Sequence, residues 1–150
     1  MPTFSSDGVE IYYQVAGEGY PLVLAHEFAG DITSWEPQVH YFSRRYQVIT
    51  YCHRGYPPSE VPKDPAAYSQ DLQVEDLARL LLHLGIEQAH IGGRSMGGNL
   101  TVGFAIAYPE MCRSLVIASA GAGSDSSDRE QLVALWPVSY THLTQPTNRE

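Results

Sequence analysis

Apolar residues recur along this chain with a spacing that switches between two and about 3.6 several times. After the turn signal Asp7-Gly8, Val9, Ile11, Tyr13 and Val15 alternate with other residues. This predicts an antiparallel hairpin of residues 2–6 and 9–16. Gly17-Glu18-Gly19 then turns the chain into Pro21-Leu22-Val23-Leu24-Ala25. An unbroken apolar run of that length fits a strand covered on both faces, as in a parallel sheet.

From there strands and helices alternate. Ser34 is placed to cap a helix in which Trp35, Val39 and Phe42 share a face, with Pro37 tolerated in its first turn. Tyr46 to Tyr51 reads as the next strand. The proline-rich loop from His53 to Pro65 leads to a helix carrying Val74, Leu77, Leu81 and Leu84 at helical spacing, with acids expected in its first turn (Asp71, Glu75) and Gly85 as its stop. His90-Ile91-Gly92-Gly93 closes another strand, Met96 to Tyr108 reads as a helix ended by Pro109, and Ser114 to Ser119 is predicted as a last buried strand. A hairpin followed by strand–helix alternation predicts an α/β fold. The expected architecture is a three-layer sandwich around a mostly parallel sheet with an N-terminal antiparallel hairpin.

Past Ala120 the pattern fades. Residues 121–128 have loop composition, and the segment from Pro137 to Glu150 has neither periodicity nor an apolar face. Val138 to Thr147 closely resembles the read-through translation of a sequencing adaptor, which would carry Leu at position 145. The expectation is a natural domain over residues 1–137, cut before its last strands, and a non-native tail over 138–150. An ordinary disordered C-terminus is the alternative.

Composition narrows the function classes. At 43% apolar and 17% charged, the chain is globular and not disordered. Seventeen acidic residues against nine basic ones give a net charge of −8, which argues against nucleic acid or an anionic membrane as partner. No run approaches a membrane span, and Met1 to Asp7 lacks the regions of a signal peptide, so a cytoplasmic location is expected. Cys52 and Cys112 are expected to be reduced and buried.

Gly93-Arg94-Ser95-Met96-Gly97 matches GxSxG. A chance match in a chain this long has odds on the order of 5%, so the motif alone is weak. Its placement between a predicted strand and a predicted helix is where a nucleophile elbow must sit. There a sharp turn strains the serine backbone and holds its hydroxyl out at the sheet edge, while Gly93 and Gly97 leave room for the chain to pass. Rival readings fail. A dinucleotide fingerprint starting at Gly93 or Gly92 would have Ser95 or Arg94 in a glycine slot, and a P-loop would have Gly98 where lysine is required. His26-Glu27-Phe28-Ala29-Gly30 follows the first buried strand. Acyl transfer needs two backbone N–H donors for the oxyanion, and Met96 and Phe28 are the candidates, with His26 expected to order the loop.

At this point the chain resembles the α/β-hydrolase family. The order is hairpin, His-Gly-type loop, tryptophan-bearing helix, Arg54-Gly55 loop, leucine-rich helix and Ser95-Met96-Gly97-Gly98 elbow. In style it is most similar to small-molecule esterases and lactonases such as the 3-oxoadipate enol-lactonases, over about residues 7–124. The resemblance implies hydrolysis of a small ester or lactone, with no metal or organic cofactor. Carbon–carbon hydrolysis, peptide release, perhydrolysis and non-catalytic binding on the same fold remain alternatives. Three positions depart from the family pattern: Glu27 stands for glycine, Cys52-His53 precede Arg54-Gly55, and Pro57-Pro58 replace a glycine-bearing turn. They bear on the oxyanion geometry and on the stability of the Arg54 loop.

The family's chain order is serine, acid, histidine. After Ser95 the only histidine is His142, in the suspect tail, and Asp125, Asp128 and Glu130 are the acids past the last predicted strand, of which Asp125 is the candidate. His40, His53, His83 and His90 read as structural. The triad acid and base are therefore expected to be absent. The chain as it stands is expected to be inactive and to self-associate through an exposed sheet edge.

Overall fold

The computed structural model describes residues 1–120. The chain runs β1 (Thr3–Ser6), β2 (Val9–Ala16), β3 (Tyr20–Ala25), α1 (Glu36–Phe42), β4 (Tyr46–Tyr51), α2 (Gln70–His83), β5 (Ala89–Arg94), α3 (Met96–Ala107) and β6 (Cys112–Ala118). These strands form one sheet in the order β1-β2-β4-β3-β5-β6. β1 pairs antiparallel with β2 and β2 with β4, while β4, β3, β5 and β6 lie parallel. The hairpin and the parallel sheet that the hydrophobic spacing predicts are both present.

Alternation along the strands sorts their side chains into two cores. Val23, Ala25, Ile49, Tyr51 and Ile91 pack with Leu77, Leu80 and Leu81 of α2 and with Leu100 and Phe104 of α3. Leu22, Leu24 and Val48 point to the opposite face, against Trp35, Val39 and Phe42. This is why the apolar runs are unbroken: both faces of the central strands are covered by a helix layer. Burial of each large aliphatic side chain contributes about 1.5–3 kcal/mol.

α2 begins where Ser69 accepts the Leu72 N–H with its hydroxyl, and it ends before Gly85, whose φ of +68° only glycine adopts cheaply. Three expectations need correcting. Ser34 caps no helix. Asp31 caps a 3₁₀ turn over Ile32–Trp35, which runs directly into α1, and the Ser34 hydroxyl donates instead to Glu27. Glu75 lies beyond the first turn of α2 and accepts the Tyr108 hydroxyl. β6 is only partly buried, with Val116 60% exposed, because it is the edge strand among the described residues. Cys52 and Cys112 are free and buried. Asp125, His142 and the segment 138–150 lie outside the described residues.

Candidate active site

β3 and β5 are parallel neighbours, but the chain leaves them in opposite directions. After β3 it passes through α1 on one face to β4. After β5 it passes through α3 on the other face to β6. The carboxyl ends of two such strands open a crevice, the usual ligand position in an open α/β sheet. The predicted site residues fall on its two walls: His26 to Gly30 directly follow β3, and Ser95 directly follows β5.

Ser95 is the single residue between β5 and α3, with φ 53° and ψ −116°. A non-glycine residue in this region costs on the order of 1–3 kcal/mol and persists only where its surroundings enforce it. The surroundings here do so. Its N–H donates to the Ala118 carbonyl at 2.9 Å, and its carbonyl accepts the Asn99 N–H at 3.0 Å. A Cβ at Gly93 would lie 2.1 Å from the Gly97 carbonyl oxygen, and one at Gly97 would lie 2.2 Å from that of Ala25. Both glycines are thus required by the close passage of α3 over the ends of β3 and β5. Ser95 and Met96 are half-buried and Arg94 is exposed.

On the opposite wall the Gly30 N–H closes a turn onto the Glu27 carbonyl, with Ala29 at φ +57°. Phe28 is 73% exposed and meets the edge of Tyr56, whose hydroxyl reaches the Met96 sulfur at 3.7 Å. Sequence reading left two relationships here unseen. The Glu27 carboxylate accepts both the Ser34 hydroxyl and the Arg94 guanidinium, which joins the two walls. Although partial burial pushes the Glu27 pKa up, hydrogen bonds from its own backbone N–H, Ser34 and Arg94 carry it below the usual carboxylate value.

The second is a buried pair of histidines. His26 Nε2 accepts the His53 backbone N–H at 3.1 Å, and His53 Nε2 donates to the His26 carbonyl at 3.1 Å. Removal from water, followed by the neighbouring His26, pushes the His53 pKa down to about 3. His26 is lowered too, chiefly by burial. His26 therefore ties its loop to the start of the Arg54 loop. Its ring atoms are committed to backbone groups.

That second loop is not loose. Arg54 Nε and Nη2 form a fork onto Asp76 at 2.7 Å each, Nη1 donates to the Ala67 carbonyl at 2.8 Å, and Ser6 donates to the same carboxylate. The signal for Asp76 was present in the chain: an acid on the apolar stripe of α2, one turn before Leu80, demands a cation. Finding Arg54 required the fold. Among the described residues no histidine is hydrogen-bonded to the Ser95 hydroxyl, and no three His, Cys, Asp or Glu side chains come together as a metal site. No helix among them is long and apolar enough to cross a membrane.

Known proteins resemble this chain in sequence and fold. A family model for the alpha/beta hydrolase fold matches residues 20–141. A putative carbamate hydrolase, RutD, of Azorhizobium caulinodans is 34% identical over 83% of this chain and 46% of its own length. Epoxide hydrolase 3 of Mus musculus is 32% identical over 79% of the chain and 33% of its own length. The crystal structure of the enol-lactonase from Burkholderia xenovorans LB400 superimposes with a TM-score of 0.77 at 30% identity, over 81% of this chain and 47% of that one. The chain thus spans less than half the length of each of these three relatives. Its sheet order, its strained serine between β5 and α3, and these matches agree: the chain belongs to the α/β-hydrolase fold family.

Proposed function

We propose that Ser95 is the nucleophile of a hydrolase that acts on small carboxylic esters or lactones. The observation that carries this reading is the Ser95 backbone, held at φ 53° and ψ −116° where two strand ends form a crevice. Strain of that kind, enforced by two obligatory glycines, is costly for a residue with no chemical task. In the proposed reaction the Ser95 hydroxyl attacks the substrate carbonyl, and the Phe28 and Met96 amides receive the oxyanion. A histidine supported by an acid takes the proton. His26 orders the loop. The reaction needs no metal or organic cofactor, and its partner is a small molecule in the cytoplasm.

The relatives include both an enol-lactonase and an epoxide hydrolase. Chemistry favours the former. Serine opening an epoxide would leave an ether, which has no carbonyl for water to attack, whereas serine on an ester or lactone leaves a hydrolysable acyl-enzyme. With His26 and His53 committed to backbone groups, the described residues offer no base to Ser95. We therefore propose that the 150 residues alone turn over esters slowly or not at all.

The test supplies the base from solution. The chain and its Ser95→Ala variant are incubated with p-nitrophenyl acetate at rising imidazole concentration, and acetylation is mapped by mass spectrometry. Acetyl transfer to Ser95 that grows with imidazole supports the reading. Acetyl groups found only at other residues would overturn it.

A further inference from the structure

The two walls of the crevice belong to different strands, and an oxyanion hole made from both needs them at fixed separation. Little apolar packing serves that purpose on the β3 side, where Phe28 is 73% exposed and Ala29 has positive φ. Polar contacts hold the loop instead. His26 anchors it from within, through the His53 backbone. On the open side the anchor is Glu27.

Glu27 and Arg94 are brought together by strand register, since β3 and β5 pair through Ala25 opposite Gly93. One Glu27 oxygen takes the Arg94 guanidinium and the Ser34 hydroxyl together, so it links the end of β5, the loop and the approach to α1. The carboxylate lies folded over the loop. A Cβ at Gly30 would sit 2.7 Å from Glu27 Cδ and 2.9 Å from Ser34 Oγ, so glycine at position 30 is what leaves room for it. Arg94 immediately precedes Ser95, and Glu27 immediately precedes Phe28.

We propose that Glu27, through Arg94, is a positioning residue: an ionic strap that holds the Phe28 amide in register with the Ser95–Met96 turn. The proposal rests on the reading of Ser95 as nucleophile and of the Phe28 and Met96 amides as oxyanion donors. Arg94 is 45% exposed, and an ion pair this open adds little to global stability. Cutting it should loosen the site without unfolding the chain.

Two measurements on the whole 150-residue chain separate the strap from the reading beneath it. Amide hydrogen exchange is followed in the unaltered chain, in Glu27→Gln, in Arg94→Met and in the double variant. Each single change should accelerate exchange by about tenfold at Gly30, whose N–H is bonded to the Glu27 carbonyl, and the double should match either single because both cut one contact. The melting temperature should stay within a few degrees. Unchanged exchange in the singles, or effects that add in the double, would overturn the strap. In parallel, imidazole-assisted acetylation of Ser95 should slow by about tenfold in both singles with little change in half-saturating ester, as expected when a donor serves the transition state alone. Arg94→Lys should restore part of the rate. Failure of the unaltered chain to acetylate Ser95 would overturn the hydrolase reading and the strap's purpose with it. Intact acetylation in Glu27→Gln would overturn the strap alone.

Discussion

The imidazole of His26 accepts the backbone N–H of His53, while the imidazole of His53 donates to the backbone carbonyl of His26. Each ring serves the other residue's main chain, at a ring separation of 4.2 Å. The geometry fixes both tautomers. His26 carries its hydrogen on Nδ1, which faces the Glu27 carbonyl at 2.8 Å, and His53 carries its hydrogen on Nε2. His53 Nδ1 is buried and finds no hydrogen-bond partner among the described residues. A proton placed there would be a buried, unsolvated charge beside another histidine.

This pair makes stability depend on pH. In the unfolded chain a histidine binds its proton near pH 6.5, whereas His53 in the fold does so only near pH 3. Between those values the unfolded chain holds the extra proton, so stability rises with pH up to about 6.5 and is flat above it. The full difference is on the order of 5 kcal/mol. Urea unfolding at pH 5, 6 and 7 should show stability falling by about 1 kcal/mol per pH step below 6.5, and His53→Gln should remove much of that slope. Equal stability at pH 5 and 7 would refute the assignment.

Gly97→Ala should destabilise the chain by about 3 kcal/mol or more, because its Cβ would meet rigid backbone at Ala25 and His26. Gly85→Ala is the matched control. Unlike position 97 it forces alanine into positive φ, but into open space, and should cost about 1 kcal/mol. Similar midpoints in denaturant for the two variants would mean that the close passage at the elbow is wrong.

Asp76→Ala leaves the Arg54 guanidinium buried without its counter-ion and should cost about 3–5 kcal/mol. Replacing both partners by apolar residues, Arg54→Met with Asp76→Leu, should recover much of that loss. A double variant no better than the single would show that the pair contributes more than mutual neutralisation.

Ser95→Gly should raise stability by about 1 kcal/mol relative to Ser95→Ala, since glycine accepts φ 53° without strain. Both variants should lose the imidazole-assisted acetylation. Stability traded against reactivity at one residue would mark the strain as functional. Equal melting temperatures would argue that the turn is unstrained.

Much of this protein was legible in its residues. Local spacing located the hairpin, the parallel strands and α2 and α3, because the repeat of apolar positions is set by the geometry of each element itself. The elbow was legible for a related reason: a strand-to-helix turn that tight needs glycines at fixed offsets along one stretch of chain. Local reading went wrong where neighbours compete for the same role. At the start of α1, Asp31 takes the capping position that Ser34 was expected to fill, and at β6 an apolar sequence does not reveal an edge position.

What the amino-acid sequence determined alone is therefore the order of elements, the buried faces of the central strands and of α2, and the site of the strained serine. The tertiary structure decided the polar partnerships around that serine. His26 meets His53 across 27 residues of chain, Arg54 meets Asp76 across 22, and Glu27 meets Arg94 across 67. Burial removes water from these groups and obliges them to find partners. Which partner each finds depends on strand order and register, and those are set only when the sheet assembles.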